Sequence, residues 1–340
     1  MCSELVRMLC AFGVWILGCS VGYAQTFALP TANRALLVGG GGDNYFVGTA
    51  GKPWISGTFG CVRSDGWQVH EGLDIKCLQR NQQGEPRDAI FATAHGSVVY
   101  INSNPSLSNY GKYIIVRHQI DGIELYSVYA HLSEIAAKLR VGSPVRQGET
   151  IAIMGRTSNT RQRISKDRAH LHFELNLLVN DDFPVWYKKN LPGQRNDHGP
   201  WNGRNLIALD PKAILLEQHS RGANFSLRTH IQSQTEMCRV LVRRTNFPFL
   251  KRYAGLVRRN PLTEGGKASA YEISLNFNGL PIELVPRTAS EVKGVPQTVA
   301  VLRVNSAEHK KNPCRKLLMV SKNRWQLTTT GQQLIDLLTY

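Results

Sequence analysis

Two short histidine motifs, a hundred residues apart, contain the most informative chemistry of this sequence. The first is an H-x-x-x-D motif formed by His70 and Asp74, and the second is an H-x-H motif formed by His170 and His172. Together they supply three histidines and one carboxylate, a set of ligands that catalytic zinc prefers in proteins. His131 adds another histidine between them. The motifs therefore predict a metal or acid–base site.

The element that carries the second motif decides where its histidines point. Side chains alternate across a β-strand, so residues two apart share a face. A strand would direct His170, His172 and Glu174 to one side and the apolar residues between and after them into a core. Taken alone, an H-x-H is more often a pair of surface histidines, and an H-x-x-x-D is mostly coincidence. Their occurrence in one strand-rich region favours a site.

The region around the motifs has the pattern of a β-sheet. Short alternating or β-branched runs, separated by Gly, Asn and Asp clusters, are typical of strands. One short helix is predicted from Ser133 to Leu139, with Ser133 as its N-cap. The runs that predict strands are residues 96–101, 113–117, 123–129 and 150–154.

The second half of the chain also favours strands. Residues 270–277 alternate, and Asn278-Gly279 leads into a second run at 280–285. An Asn-Gly between alternating runs is the strongest short-range hairpin signal. Residues 180–205 are predicted to be a polar connection, and helices are predicted over Lys212 to Gln218 and Gly331 to Leu338.

Length and pattern together predict a mainly β protein. At 340 residues the chain can build two cores. We expect an antiparallel β-sheet domain that carries the histidine motifs, followed by a smaller strand-rich C-terminal domain that is β or α+β. The predicted divisions are a signal peptide at 1–24, an extended segment at 25–55, the histidine-motif domain at 56–217 and the basic C-terminal domain at 218–340.

The first residues have the pattern of an export signal. Arg7 precedes an apolar run at 8–18, and Gly22 and Ala24 fit the −3 and −1 positions of a cleavage site. The run is shorter than the roughly 20 apolar residues of a membrane span. A periplasmic or secreted protein is predicted. The alternatives are an uncleaved anchor and a lipoprotein anchored at Cys19.

Four cysteines follow the predicted signal, an even number that suits an oxidising compartment. They are Cys61, Cys77, Cys238 and Cys314. Of the three possible pairings, neighbourhood in the sequence favours Cys61–Cys77 with Cys238–Cys314. Free thiols and zinc-thiolate ligands are the alternatives, although the sequence contains no C-x-x-C pair.

The net charge of +16 is unevenly distributed. Residues 25–217 contain 21 Lys and Arg against 17 Asp and Glu, whereas residues 218–340 contain 19 against 7, a balance of +12. Such a surface attracts polyanions through long-range fields. For an exported protein we predict anionic envelope polymers as partners, with a solvated basic face as the alternative. Because no nucleic-acid motif is present, nucleic acid is not an expected partner.

Between about residues 56 and 178 the motifs follow the order of a known family. They are H-x-G-x-D, G-x-V, Y-G-x-x-x-x-x-x-H, Y-x-H-L, V-x-x-G-x-x-I-x-x-x-G and H-L-H-F-E, at residues 70–74, 96–98, 110–118, 129–132, 145–155 and 170–174. In this order they resemble the lysostaphin-type (LytM-type) zinc metallopeptidases, which are peptidoglycan endopeptidases.

The resemblance implies a role for each site residue. His70, Asp74 and His172 would bind one Zn²⁺ and leave a fourth position open for water, and His131 and His170 would be the catalytic histidines. Zinc lowers the pKa of bound water toward about 7 and polarises the scissile carbonyl. Which histidine acts as the base and which as the acid stays open. Glu174 is either a partner of a ligand or a surface carboxylate.

The chain departs from the family pattern between residues 157 and 169, where a longer and basic segment precedes the H-L-H-F-E motif. This segment is predicted to form a wall of the substrate groove and to affect substrate preference. A second insertion covers about residues 78–88.

The resemblance implies a zinc-dependent endopeptidase that cuts peptide stems or cross-bridges of bacterial peptidoglycan. One alternative is a non-catalytic regulator of other cell-wall hydrolases, although such relatives normally lack ligands that this chain retains. Another is a secreted wall-degrading effector. The C-terminal domain would hold the enzyme on an anionic envelope component.

Overall fold

A computed structural model describes residues 26–39, 41–161 and 163–340 of the chain. The predicted signal peptide at 1–24 and its lipobox cysteine, Cys19, lie outside these residues. Among the residues described, no helix is both long enough and apolar enough to cross a lipid bilayer.

A nine-stranded antiparallel sheet forms the scaffold of the histidine motifs. Its longest run of neighbours is β11-β10-β7-β6-β5-β8, while β3 pairs with β10, and β9 pairs with both β4 and β7. A separate two-stranded sheet joins β1 and β2. The strands are β1 Gly60–Arg63, β2 Gln68–His70, β3 Leu73–Lys76, β4 Ala89–Phe91, β5 Gly96–Asn102, β6 Lys112–Ile120, β7 Ile123–Ile135, β8 Pro144–Val145, β9 Thr150–Met154, β10 His170–Leu178 and β11 Leu206–Leu209.

The second half builds a four-stranded antiparallel sheet in the order β14-β13-β12-β15 and a separate β16–β17 hairpin. The Asn278-Gly279 turn joins β13 to β14, as the sequence predicts. These strands are β12 Cys238–Val242, β13 Ala270–Leu275, β14 Pro281–Arg287, β15 Val299–Val304, β16 Leu318–Ser321 and β17 Arg324–Leu327.

Helices are short and lie between and after the strands. The predicted helices after residue 210 and at the C-terminal end are confirmed as α3 and α7. The α-helices are α1 Gly42–Tyr45, α2 Phe183–Asn190, α3 Pro211–Arg221, α4 Leu227–Gln232, α5 Pro248–Arg252, α6 Ser306–Lys311 and α7 Thr329–Leu338. Short 3-10 turns occupy Ala35–Leu37, Trp54–Gly57, Ser64–Gly66, Gly199–Trp201, Gly203–Asn205, Gly222–Asn224, Ala254–Leu256 and Pro261–Thr263.

Strand β10 explains how the sheet supports the site. Every residue of β10 is buried, so both of its faces are covered. The face with Leu171, Phe173, Leu175 and Leu177 belongs to the main hydrophobic core. The polar side chains on the opposite face are thereby backed by a packed core, as the alternation predicts.

Two local predictions are wrong. Ser133 does not begin a helix, because β7 continues to Ile135 and pairs with β9 over this stretch. The Ser133 hydroxyl donates to the carbonyl of Met154 on that neighbouring strand. The predicted polar connection at 180–205 contains helix α2, whose Trp186 is buried.

The predicted cysteine pairing is also wrong. The disulfide joins Cys61 to Cys314, and Cys77 and Cys238 are buried free thiols. The Cys77 thiol instead donates to the buried carboxylate of Asp88. Neighbourhood in the sequence fails here because the C-terminal region folds back onto β1.

The two halves of the chain share buried contacts. Core residues from both contribute to one hydrophobic cluster. The Tyr253 hydroxyl accepts from the backbone N–H of Leu178, and the Asn180 amide donates to the carbonyl of Leu337. The mainly β, antiparallel fold is confirmed, while the division of the chain at residue 217 stays a prediction.

Candidate metal centre and active site

Three predicted ligands meet at one point of the sheet. Among the residues described, His70, Asp74 and His172 form the group that can hold a metal ion. The Nε2 atom of His70 lies 3.1 Å from Nδ1 of His172 and 3.1 Å from Oδ1 of Asp74. The same carboxylate oxygen lies 3.0 Å from Nδ1 of His172. All three residues are buried.

Strand register creates this triangle. Asp74 on β3 lies directly opposite His172 on β10. His70 ends β2, and two residues, Glu71 and Gly72, connect it to β3. Gly72 in that connection approaches β10 so closely that a Cβ atom would lie 2.3 Å from the Phe173 carbonyl oxygen. The glycine of the first motif is therefore required by backbone contact.

The remaining ring nitrogens of the two histidine ligands fix which nitrogen faces the cluster. Nδ1 of His70 lies 2.8 Å from the carbonyl oxygen of Thr58, so it must carry the proton that it donates. Nε2 of His172 lies 2.7 Å from Oε1 of Glu174. A proton held at each of these positions would leave the other nitrogen of each ring, which faces Asp74, for a metal, and this is the arrangement of a metal-binding histidine.

The donor set fits a zinc ion. Zinc binds imidazole nitrogen and carboxylate oxygen at about 2.0–2.2 Å in tetrahedral geometry, which separates neighbouring donor atoms by about 3.3 Å. The observed separations of 3.0–3.1 Å are close to that value. Three protein ligands are also the usual number at a catalytic zinc, which keeps one position for water or substrate.

Asp74 is held in its ionised form. Burial alone would raise its pKa, but the imidazoles of His70 and His170 hold the pKa of this carboxyl well below its usual range. Its second oxygen, Oδ2, accepts a hydrogen bond of 2.5 Å from the guanidinium of Arg63. The carboxylate thus keeps Oδ1 for the cluster while Arg63 fixes its orientation.

Glu174 lies behind the cluster rather than on the surface. Besides His172, it accepts from the hydroxyl of Tyr110 at 2.6 Å and from the amide of Asn176 at 2.9 Å. Burial opposes the charge of this carboxyl, yet these contacts, led by the hydrogen bond from His172, lower its pKa. Of the two roles left open for Glu174, the structure favours the partner of a ligand.

The pKa of His172 moves in the opposite direction from those of His131 and His170. Burial alone would lower it, but the hydrogen bonds to Asp74 and Glu174 raise the pKa of His172 to about 9. Binding of a metal at Nδ1 must therefore displace a proton, which couples metal affinity to pH.

His131 and His170 lie side by side next to the cluster, with ring centroids 4.9 Å apart. Nδ1 of His131 lies 2.9 Å from the carbonyl oxygen of Thr157, and Nδ1 of His170 lies 2.6 Å from that of Arg168. Nε2 of His170 is 3.5 Å from Oδ1 of Asp74. Both rings therefore present Nε2 rather than Nδ1 as the nitrogen free for chemistry.

The backbone at His131 is unusual. Its φ angle is 63°, in the left-handed region that a non-glycine residue rarely adopts. The pairing of β6 with β7 shifts register between Lys112 and Ile114, next to this residue. Bulges of this kind re-aim side chains beside active sites. The strand irregularity turns the imidazole toward the cluster.

Both of these histidines are neutral at neutral pH. Burial, followed by the nearby charges of His170 and His172, lowers the pKa of His131 well below its usual range. Burial also lowers the pKa of His170, with the Asp74 carboxylate opposing the shift. Neutral imidazoles with a free nitrogen can accept a proton.

A groove of about 250 Å³ opens over the five residues. Its walls include Thr49 and Ala50 of the N-terminal segment. They also include part of the basic segment 157–169, as the sequence predicts. We call residues 157–169 the groove loop; those of its residues that line the groove are Ser158, Thr160, Arg163, Ile164 and Arg168.

The structure brings together all five predicted site residues and adds partners that sequence reasoning missed. The only indication of Arg63 in the sequence is that it lies close to the first motif. Tyr110 is part of the family pattern, but the pattern assigns it no role. The sequence cannot identify the carbonyls of Thr58 and Thr157 as partners of the histidines, because every residue has a backbone carbonyl. The spare histidine His118 lies away from the cluster, where it contacts the Ser127 hydroxyl and the His95 carbonyl.

Comparisons with known proteins agree with this geometry at the level of the family. Residues 68–182 match the model of peptidase family M23, and they include all five site residues. This match agrees with the order of motifs in the sequence. Comparison with curated proteins finds no significant match.

Solved structures with local similarity to this chain include the following three proteins. A zinc-containing peptidase from Vibrio cholerae is 22% identical over 39% of this chain and 36% of its own length, with a TM-score of 0.26. The catalytic domain of the antimicrobial peptidase lysostaphin from Staphylococcus simulans is 21% identical over 43% of this chain and 85% of that domain, with a TM-score of 0.27. The catalytic domain of the prophage-encoded M23 protein EnpA from Enterococcus faecalis is 20% identical over 38% of this chain and 85% of that domain, with a TM-score of 0.26. The chain spans little more than a third of the Vibrio cholerae peptidase.

Proposed function

We propose that the protein is a zinc-dependent endopeptidase that hydrolyses peptide stems or cross-bridges of bacterial peptidoglycan. The observation that carries the proposal is the triangle of donor atoms from His70, Asp74 and His172, with both histidine tautomers fixed by partners outside the cluster. Zinc bound by these atoms would act as a Lewis acid toward the scissile carbonyl and lower the pKa of a coordinated water.

The remaining groups account for the movement of protons. Hydrolysis adds the oxygen of water to the carbonyl carbon of the scissile bond, breaks its C–N bond and delivers a proton to the leaving amine. His131 and His170 are neutral and each has a free Nε2, so one can accept the proton that water loses. The imidazolium that results can stabilise the oxyanion or protonate the amine. The division of these two roles between the histidines stays open.

The intact cluster argues against a purely regulatory protein. A non-catalytic relative has no need of three converging donor atoms or of a carboxylate behind the histidine ligand. A secreted wall-degrading effector would use the same chemistry and differs only in its target. We further propose that the protein is exported, in line with the signal predicted at residues 1–24.

For the C-terminal region we propose binding to anionic envelope polymers. Many arginines here are already neutralised, as in the ion pairs of Arg239 with Glu236 and of Arg287 with Glu272. Seven exposed lysines of this region differ, since they form no ion pair with any of the residues that the structure describes, and four of them lie between residues 310 and 322. These four are Lys310, Lys311, Lys316 and Lys322.

Salt-sensitive binding to cell-wall sacculi tests this second proposal. The full protein should sediment with sacculi at low salt and be released at high salt, because exposed charges are screened. Replacing Lys310, Lys311 and Lys316 by Glu should weaken sedimentation, whereas Lys188→Glu, an exposed change in the other half of the chain, should not. Equal sedimentation of both variants would contradict the role of these lysines.

The His172→Ala variant tests the proposed reaction. It removes a ligand, so zinc content should fall below one ion per chain and digestion of purified peptidoglycan should drop at least a thousandfold, on the scale of losing the metal's Lewis acidity. The control is His219→Ala, an exposed histidine outside the site. Digestion by His172→Ala at the wild-type rate would refute the proposed function.

A further inference from the structure

The charges on the walls of the groove are unequal. Among the described residues that line it, three are arginines and two are carboxylates, and Asp74 is one of the latter. The lining residues with charge are Arg63, Arg163, Arg168, Glu71 and Asp74. A bound divalent cation would make the groove still more positive.

Two of these charges already have partners. Arg63 donates to the Asp74 carboxylate and to the carbonyl oxygen of Ser56, so its guanidinium serves the metal cluster. Burial lowers the pKa of Arg315, which comes from the C-terminal region, and the charge of Glu71 opposes that shift without forming an ion pair. The arginines of the groove loop are thus the cations left for a ligand.

Arg163 and Arg168 have unused hydrogen-bonding capacity. Within the part of the chain that the structure describes, the exposed Arg163 side chain makes neither a hydrogen bond nor an ion pair. Arg168 is half-buried and uses its Nε to donate to the carbonyl oxygen of Gly48 at 3.1 Å. The pKa of the neighbouring Asp167 carboxyl is lowered first by a hydrogen bond from Ser165, and the charge and backbone N–H of Arg168 contribute less. Both guanidinium groups keep terminal N–H donors for a ligand.

The groove loop also orients the two neutral histidines. The carbonyl of Thr157 contacts His131, and the carbonyl of Arg168 contacts His170. An anion bound by the arginines of the groove loop would therefore contact the same short segment whose carbonyls orient His131 and His170. Binding of the substrate to this loop would align its scissile bond with the two histidines.

We propose that Arg163 and Arg168 select peptides with a free carboxylate beside the scissile bond; this inference rests on the proposed peptidase function. A guanidinium matches a carboxylate in shape and charge and can bind it through two parallel hydrogen bonds. A stem-peptide cross-link carries such carboxylates, whereas an oligoglycine bridge has none. The protein is accordingly an enzyme for anionic stem-peptide cross-links and a poor one for uncharged bridges.

Two matched synthetic substrates test the inference. One is a cross-linked stem-peptide dimer with free carboxylates beside the scissile bond, and the other is the same dimer with those groups converted to primary amides. The zinc-loaded full-length enzyme should have a kcat/KM about ten- to a hundredfold higher for the acid, the range expected for hydrogen bonds to a charged group.

Variants assign the preference to the two arginines. Arg163→Gln and Arg168→Gln should each lower the ratio of kcat/KM for the acid to kcat/KM for the amide by about tenfold or more. Arg161→Gln is the matched control, because Arg161 is an exposed cation of the same loop that does not line the groove. Thermal melting checks that Arg168→Gln, which loses the contact to Gly48, stays folded, and Arg163→Gln tests the inference independently.

The outcomes separate this inference from the proposed function. Equal cleavage of acid and amide by the wild type, or equal discrimination by wild type and both Arg variants, would overturn the inference and leave the peptidase standing. Cleavage of neither substrate and of no peptidoglycan would overturn both.

Discussion

The two sides of the groove hold their functional side chains by different means. On the sheet side, His70, Asp74 and His172 are set by backbone pairing between strands, with His172 directly opposite Asp74. On the loop side, His131 and His170 are oriented by carbonyl oxygens of the groove loop. The register of a strand is maintained by many hydrogen bonds, whereas each contact from the groove loop is one hydrogen bond.

For the proposed zinc peptidase, this difference separates metal binding from catalysis. The sheet side would determine whether a metal binds, and its geometry is backed by the main core through Leu171 and Phe173. The loop side would determine how the two other histidines and the substrate are aligned. Changes on the loop side should therefore alter turnover while leaving the metal bound, and changes behind the sheet should alter metal affinity first.

Among the changes that should leave the metal bound, loss of His131 should lower kcat the most. His131→Ala removes a proton-transfer group, which typically contributes about 10²–10⁴-fold, and kcat should fall by that factor. Zinc content, measured by metal analysis of the purified variant, should equal that of the wild type. Loss of zinc from the His131→Ala variant would show that His131 helps to hold the metal. An unchanged kcat would show that His131 has no catalytic role.

Displacement of the groove loop should come next. Gly111 has a φ angle of 61°, and a Cβ there would lie 2.3 Å from the carbonyl oxygen of Thr157. Gly111→Ala should push away the loop that orients His131 and lower kcat by up to about a hundredfold, the cost of a misplacement near 1 Å. Zinc content should not change.

A matched glycine isolates the contact from the backbone strain. Gly142 also has a positive φ, of 92°, but a Cβ there would meet nothing within 4 Å. Gly142→Ala should lower the melting temperature slightly and leave kcat unchanged. If both alanine variants lose the same activity, strain rather than loop displacement is responsible.

Neutralising Glu174 should weaken metal binding more than turnover. Glu174→Gln keeps an oxygen near Nε2 of His172 but removes its charge, and partners of metal ligands are typically worth 10–100-fold in affinity. Zinc competition with a chelator should reveal that loss, and excess zinc should restore most of the activity. Glu134→Gln, an exposed change on β7, is the control. An unchanged zinc affinity would contradict the role of the Glu174 charge.

Loss of the disulfide should lower the stability of the protein and have the smallest effect on its activity. Cys61–Cys314 joins positions 253 residues apart, so its loss frees a very large loop in the unfolded chain. The double variant Cys61→Ser/Cys314→Ser should lose about 2–4 kcal/mol in the free energy of unfolding and keep its kcat. Reductant should destabilise the wild type to the same level and leave the double variant unaffected. A reductant effect on the double variant would point to another source of the instability.

The sequence predicts the sheet side well because its signals are local. Alternation alone separates His172 and Glu174 from the core face of β10, and the order of motifs brings the two ligand segments together. The roles of the five candidate site residues follow from the resemblance to the family, whose motifs they match one by one. The sequence does not predict which nitrogen of each imidazole ligand faces the metal site, because that depends on the carbonyl of Thr58 and on the carboxylate of Glu174.

The features that sequence reasoning missed depend on contacts between distant segments. Ser133 resembles a helix N-cap, but pairing with β9 extends the strand past it, which is a case of tertiary contacts overriding local propensity. The Cys61–Cys314 bond needs the path of the whole C-terminal region, which spacing does not contain. Arg63 is recognisable as a partner of Asp74 only when β1 is seen beside the first motif.

Incubation of the purified protein with peptidoglycan tests the central claim most directly, with the released muropeptides measured by mass spectrometry. Three samples are compared: untreated protein, protein with a chelator, and chelated protein to which zinc is restored. Our account predicts new peptide ends in the first and third samples and none in the second. Products that persist in the presence of chelator, or a zinc-loaded protein that releases none, would contradict it.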